Sequence, residues 1–232
     1  MKKFLALSAS LLIWLPLLAG AEDSPPAAGR ELLDLAVRVQ DNSARVKSLE
    51  AEFIRQSDYA AVGADEARQV RGSGRLFWAG PLNLRLEQHA PTQETVVADG
   101  TSVWWIRPER RRADVYPIDS FTANLTSLLE VLGGLAKVNE KFFVEQPLPE
   151  DLSQIPGELT LALRPQEARA DLNRLILWLD EKSLRLNGFK FSNVVGDATR
   201  YRLSQIKINP SFPAGVFTYA PPDDYRVNDQ RR

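Results

Sequence analysis

Apolar and polar residues alternate along most of this chain. In "LEAEFIRQ", Leu49, Ala51 and Phe53 are set against Glu50 and Glu52, which predicts a strand with one buried face. The same period recurs at Leu82, Leu84 and Leu86, interleaved with Asn83, Arg85 and Glu87. It returns at Leu159, Leu161 and Leu163, at Leu175, Leu177 and Leu179, and at Tyr201 and Leu203 followed by Ile206 and Ile208. Turn signals stand between these runs: Ala79-Gly80-Pro81, Asp99-Gly100, Asn187-Gly188, Gly196-Asp197 and Asn209-Pro210. Strands in near-neighbour order with short turns predict an antiparallel meander.

Two segments change period. Over residues 31–47, Leu32, Leu35, Ala36, Val39 and Val46 form a helical stripe, with Asp34, Arg38 and Asp41 elsewhere. In "DSFTANLTSLLEVLGG", Phe121, Leu125, Leu128, Leu129 and Leu132 share one helical face. Asp119 or Ser120 can cap its start and Gly133-Gly134 its end. This helix either packs flat on the sheet or serves as a movable lid. A meander that curls only part of the way needs cover over its concave side. The space beneath is packed solid or left as an apolar pocket of the kind that takes an acyl chain. The fold class is therefore mainly β (α+β).

The N-terminus restricts the setting. Lys2 and Lys3, an apolar run from Phe4 to Leu18 and the small residues Ala19-Gly20-Ala21 read as a secretory signal peptide over residues 1–21. The run is shorter than the roughly 18 residues of a spanning helix. No cysteine follows it to accept a lipid, and the chain contains no cysteine at all, so no disulfide supports it. Residues 22–30 read as a linker and 31–232 as a single domain. Removing Lys2 and Lys3 from 29 basic residues leaves 27 against 30 acidic ones, a net charge of −3. A nucleic-acid binder would be clearly basic.

Groups suited to catalysis are sparse. The one histidine, His89, lies in turn-like sequence, so a metal cluster or a histidine-based triad has little to draw on. "RGSGR" lacks the Lys-Ser/Thr of a phosphate loop and suits a bend or bulge in a strand. Asp180 and Glu181 are adjacent, and nothing makes them face each other as a hydrolytic pair would. No enzyme, cofactor or metal is expected. The stretch "VVADGTSVWWIRPERRRADVY" stands out, with a tryptophan pair beside a knot of arginines. Arg110, Arg111 and Arg112 are either a solvated hairpin tip or an electrostatic contact with an anionic membrane or an acidic partner.

In this order the motifs resemble the LolA family of periplasmic lipoprotein carriers. "LEAEFIRQ" is similar to the family's opening strand, with Phe53 and Gln56 as its Phe-x-x-Gln. "VVADGTSVWWIRP" is similar to its Asp-Gly hairpin, "LILWLDEKSLRLNGFKFSNVVGDATRYRLSQIKIN" to its paired late strands, and "GVFTYAPPDDYRV" to its closing Phe-x-x-x-Pro-Pro segment. The resemblance implies a curved antiparallel sheet forming an incomplete β-barrel, with helices as a lid over an apolar cavity. It implies a monomer that takes acylated lipoproteins from an inner-membrane ABC transporter complex and hands them to an outer-membrane acceptor lipoprotein. A binder of free lipid or glycolipid, or a lipoprotein sensor, would share the fold. The implied lipid-contacting set is Phe53, Leu76, Trp78, Leu84, Leu86, Trp104 and Ile106, with Phe121, Leu125, Leu128, Leu129 and Leu132 from the lid. Trp104 is expected to face inward. The family's basic residue before the proline that opens the Leu82-to-Leu86 strand, tied to lid closure and forward transfer, is absent. Gly80 stands there, leaving Arg75 or Arg85 as substitutes.

Overall fold

A computed structural model describes residues 27–61, 66–118, 138–168 and 170–231. The first helix, α1 (Ala27–Ser43), starts ahead of the predicted stripe and stops short of Lys47. Ala36, Val39 and Ser43 are buried at helical spacing, which fixes the face turned to the sheet. Beyond Ser43 the chain turns tightly, with Val46 N donating to Ser43 O at 3.0 Å, so Val46 reaches the core from a turn. Asn209 closes this corner. Its Oδ1 accepts from Lys47 N at 2.6 Å, and its Nδ2 donates to Arg45 O at 3.3 Å.

Twelve strands follow: β1 (Ser48–Tyr59), β2 (Arg68–Ala79), β3 (Asn83–Ala90), β4 (Glu94–Asp99), β5 (Ser102–Arg107), β6 (Arg112–Pro117), β7 (Phe142–Glu145), β8 (Glu158–Pro165), β9 (Arg174–Asp180), β10 (Leu186–Ser192), β11 (Ala198–Ile208) and β12 (Arg226–Asp229). They form one curved, unclosed sheet in the order β12-β6-β5-β4-β3-β2-β1-β11-β10-β9-β8-β7. The chain winds outward from β1 to β6, restarts at β7 and returns to β1 through β11. A short helix, α2 (Val138–Lys141), leads into β7, and its Val138 N donates to Gln40 Oε1 of α1 at 2.8 Å.

The meander is as expected, with three departures. Asn187-Gly188 is not a turn but lies inside β10, where a Cβ on Gly188 would sit 2.6 Å from Tyr201 O, and the β9–β10 turn falls just before it. β12 pairs with β6 in parallel, and β7 is a short strand with no alternation to announce it. In β11 the phase slip between Leu203 and Ile206 is a bulge. Glu50 pairs with Lys207 but Glu52 with Ser204, leaving one extra residue, and Gln205 takes a φ of 50°. "RGSGR" also lies at a register shift, between Ser73 and Gly74. A Cβ on Gly74 would sit 1.9 Å from Glu87 O, so only glycine lets β2 and β3 approach there.

The sheet face covered by α1, the inner face, carries the main core. Leu49, Ala51 and Phe53 of β1 align with Leu76 and Trp78 of β2 and with Leu84 of β3. On the other arm Tyr201, Phe189, Leu177 and Leu161 continue the layer. The outer face has separate cover. From Asn209 the chain crosses it, placing Phe212 edge-on to Phe77 at 5.9 Å and Tyr219 edge-on to Trp104 at 5.5 Å. It ends in β12 along β6.

Candidate functional site

Where the last turn of α1 meets β1, β9 and β10, the inner layer is not filled. A cavity of about 350 Å³ lies there, within the size range of small-ligand pockets. Leu49 and Trp78, paired across the β1–β2 ladder, form one wall. Leu177, Leu179 and Leu186 form the opposite wall, and Val39 and Val46 close the helix side. Exposed Arg45, Ser183, Arg185 and Asn209 make the mouth. The β9–β10 turn is held by Asp180, whose Oδ1 accepts from Ser183 N at 2.8 Å and Ser183 Oγ at 2.7 Å. Those hydrogen bonds lower the Asp180 pKa. The turn sets Leu184 at a φ of 54° and into the cavity lining.

Trp78 is 1% exposed, and its Nε1–H has no hydrogen-bond partner among the described residues. A buried donor left unpaired costs about 1–3 kcal/mol. Two other indoles are paired: Trp178 Nε1 donates to Asp151 O at 2.8 Å and Trp105 Nε1 to Glu94 Oε2 at 3.1 Å.

Phe53, Leu76, Trp78, Leu84 and Leu86 all belong to the inner layer, and of these Trp78 lines the cavity. Trp104 and Ile106 do not face inward. They pack on the outer face with Val97, Ala113, Tyr219 and Tyr225, while their neighbour Val103 joins the inner core. The physical reason is the C-terminal crossing, which supplies the outer face of β5 with its own aromatic cover. Phe121, Leu125, Leu128, Leu129 and Leu132 lie outside the described residues. Arg75 and Arg85 are unsuited as inner-face substitutes for the missing basic residue. Both sit on the outer face and pair with Glu87, at 2.9 Å and 2.7 Å. The cations brought to the cavity are Arg45 and Arg185, which the strand pattern gave no reason to choose. His89 is exposed at the end of β3.

The arginine knot divides. Arg112 is not a free rim cation, because it holds fully buried Asp114, with Nε at 3.0 Å and Nη2 at 2.6 Å from Oδ1. Arg107 and Asn228 bind the same carboxylate, and the Arg107 guanidinium lies 4.4 Å from the Trp105 ring centre. Burial, then the charges of Arg112 and Arg110, lower the Arg107 pKa. Arg111 caps the turn at a φ of 44° and reaches Asp224 at 3.5 Å. Arg110 and Arg111 project from the tip as expected.

A protein-family model described as outer membrane lipoprotein carrier protein LolA matches residues 44–220. A protein of Legionella pneumophila strain Corby named outer-membrane lipoprotein carrier protein is 26% identical over 179 residues, covering 75% of this chain and 82% of that one. A protein of the same name from Dechloromonas aromatica strain RCB is 25% identical over 218 residues, covering 93% and 92%. A solved LolA superfamily protein from Nitrosomonas europaea aligns with a TM-score of 0.40 at 12% identity, over 82% of this chain and 97% of that one.

Proposed function

The chain belongs to the LolA family, and on that premise we propose that it is a periplasmic carrier that shields lipoprotein acyl chains from water. The observation that carries the reading is the cavity under α1, walled by Leu49, Trp78, Leu177, Leu179 and Leu186. Each buried methylene is worth about 0.8 kcal/mol, so an acyl chain does not cross an aqueous compartment unshielded. The carrier takes its cargo from an inner-membrane ABC transporter complex and yields it to an outer-membrane acceptor lipoprotein. Such a transfer makes and breaks no covalent bond, and it requires a grip that can be released. A cavity open at a polar mouth suits that requirement better than a sealed one.

Native mass spectrometry of the protein purified from its own periplasm tests this reading. An acylated polypeptide bound one to one is the expected result. A free lipid in its place would favour the lipid-binding alternative, and an empty protein would remove the carrier assignment. Val46→Phe sharpens the test by filling the cavity from the helix side. It should lose the bound cargo at a stability cost of no more than about 1–3 kcal/mol, because the added ring has the cavity to occupy.

A further inference from the structure

We infer that the cavity mouth reads the oxygen-bearing root of an acyl chain: the Trp78 indole N–H donates to a carbonyl or carboxylate oxygen there, and Arg45 and Arg185 hold the head group outside. The inference rests on the carrier reading for the presence of an acyl chain and adds the chemistry by which that chain is recognised.

Two observations carry it independently. The first is the unpaired Trp78 donor. A phenylalanine would supply the same apolar wall without a desolvated N–H, and the sheet satisfies the indoles of Trp178 and Trp105 internally. The donor is buried in the wall that Trp78 gives the cavity, and it is matched when a ligand seated against that wall brings the acceptor within reach, a net gain of one hydrogen bond. The second is the charge of the mouth. Arg45 and Arg185 both line it, Asn42, Ser183 and Asn209 add uncharged polar groups, and no carboxylate stands among the described lining residues. The nearby acidic group, Asp180, is engaged by Ser183 within its turn. A mouth with two cations and no lining anion favours an oxygen-rich or negatively charged head. A chain rooted at the indole lies between Leu49, paired with Trp78 across the β1–β2 ladder, and Leu177 and Leu179 on the opposite wall.

Two sources share this chemistry: the ester or amide carbonyl of an acylated protein, and the carboxylate or phosphate of a free lipid. Three fluorescent ligands separate them: a polyene fatty acid, its methyl ester, and the uncharged dye N-phenyl-1-naphthylamine. Trp78→Phe should weaken acid and ester alike by about fivefold, the value of one ordinary hydrogen bond, and leave the dye unchanged. Unchanged acid and ester affinity would overturn the indole contact. The double variant Arg45→Ser, Arg185→Ser should weaken the acid by about fivefold or more at low salt. Loss confined to the acid assigns a charged head, and equal loss for the ester assigns a neutral carbonyl. No loss for either ligand overturns the role of the arginines. Should Trp78→Phe fold poorly, the ¹⁵N-labelled wild-type protein answers the same question. Its Trp78 indole proton should move downfield with acid or ester and stay in place with dye, and an unmoved resonance refutes the contact. A wild-type protein that binds none of the three ligands would end the carrier reading itself.

Discussion

The two faces of the sheet are both apolar beneath their covers, yet they are finished differently. On the outer face the chain supplies partners for most of the groups it covers, the Tyr219 hydroxyl excepted. Trp178 lies under the Arg202 guanidinium at 4.1 Å and donates to Asp151 O, and Asp151 in turn binds Lys190 at 2.6 Å and Arg174 at 3.2 Å. Trp104 has Tyr219. On the inner face, α1 and the strands meet but leave about 350 Å³ and an unpaired indole N–H. The difference separates what holds the fold together from what is left for a ligand. Changes on the outer face should therefore cost stability, and changes at the inner cavity should cost binding.

The largest expected effect tests that division directly. Asp151→Ala strands Lys190 and leaves Arg174 with Glu145 alone as its counter-charge, and both cations have side chains 17% exposed. Breaking a buried pair in this way costs about 3–5 kcal/mol, which urea unfolding would show as a much lower midpoint. Acyl-ligand affinity of the folded protein should not change. A variant as stable as wild type would mean that the outer cluster is not holding β9 and β10. Next in size, Trp104→Ala should cost about 2 kcal/mol, less than a fully buried tryptophan because the ring is only half buried. Ligand binding should again be spared. Lost binding at full stability would return Trp104 to the inner face.

Trp104 also shows how far the sequence could be read. Alternation assigns a face when one side is polar, as with Leu84 beside Arg85, and there the inner layer was legible. In Val103-Trp104-Trp105-Ile106 both sides are apolar, so parity gives two faces and no means of choosing. The choice is made by Tyr219, more than a hundred residues away. The phase slip from Leu203 to Ile206 was visible, and the structure resolves it as the bulge at Gln205. Asp114 follows Arg112 by two residues, but nothing local reveals that it is buried and claims that arginine. The cavity was the least legible feature. It arises where α1, the β9–β10 turn and the β1–β2 pair come together, and no single run of residues contains it. Trp78 could be nominated from its strand, whereas Arg45 and Arg185 belong to turns that only the tertiary fold brings to one mouth.

A smaller effect follows from Glu158 at the margin of the outer cluster. Burial opposes its ionisation, but hydrogen bonds from Ser153, from Arg202 at 2.7 Å and from Asn187 at 3.1 Å outweigh burial and lower its pKa below 4.5. With the folded value below the unfolded one, the ionised form stabilises the fold above pH 4.5, and that contribution is lost as pH falls through the folded value. Urea midpoints measured from neutral pH into acid should decline less steeply for Glu158→Gln than for wild type. Parallel declines would show that the bonds to Glu158 persist in the unfolded chain or are not made at all.

The smallest expected change has the opposite sign. The Tyr219 hydroxyl is buried with no hydrogen-bond partner among the described residues. Burial, followed by the charges of Tyr225 and Asp224, raises its pKa, so the neutral phenol is the form the fold accepts. Tyr219→Phe removes the unsatisfied group and keeps the ring against Trp104. Thermal unfolding should show no loss, and a gain of up to about 1 kcal/mol. The variant should also retain more stability as pH rises above 10, where the unfolded tyrosine ionises first. A clear loss of stability would reveal a partner for that hydroxyl. Tyr219 and Trp78 thus carry the same defect, an unpaired polar atom under apolar cover, on opposite faces of one sheet. Trp78 lines the cavity under α1 and Tyr219 does not, so removing the indole N–H should change what the protein binds, and removing the Tyr219 hydroxyl should change only how tightly the outer cover sits.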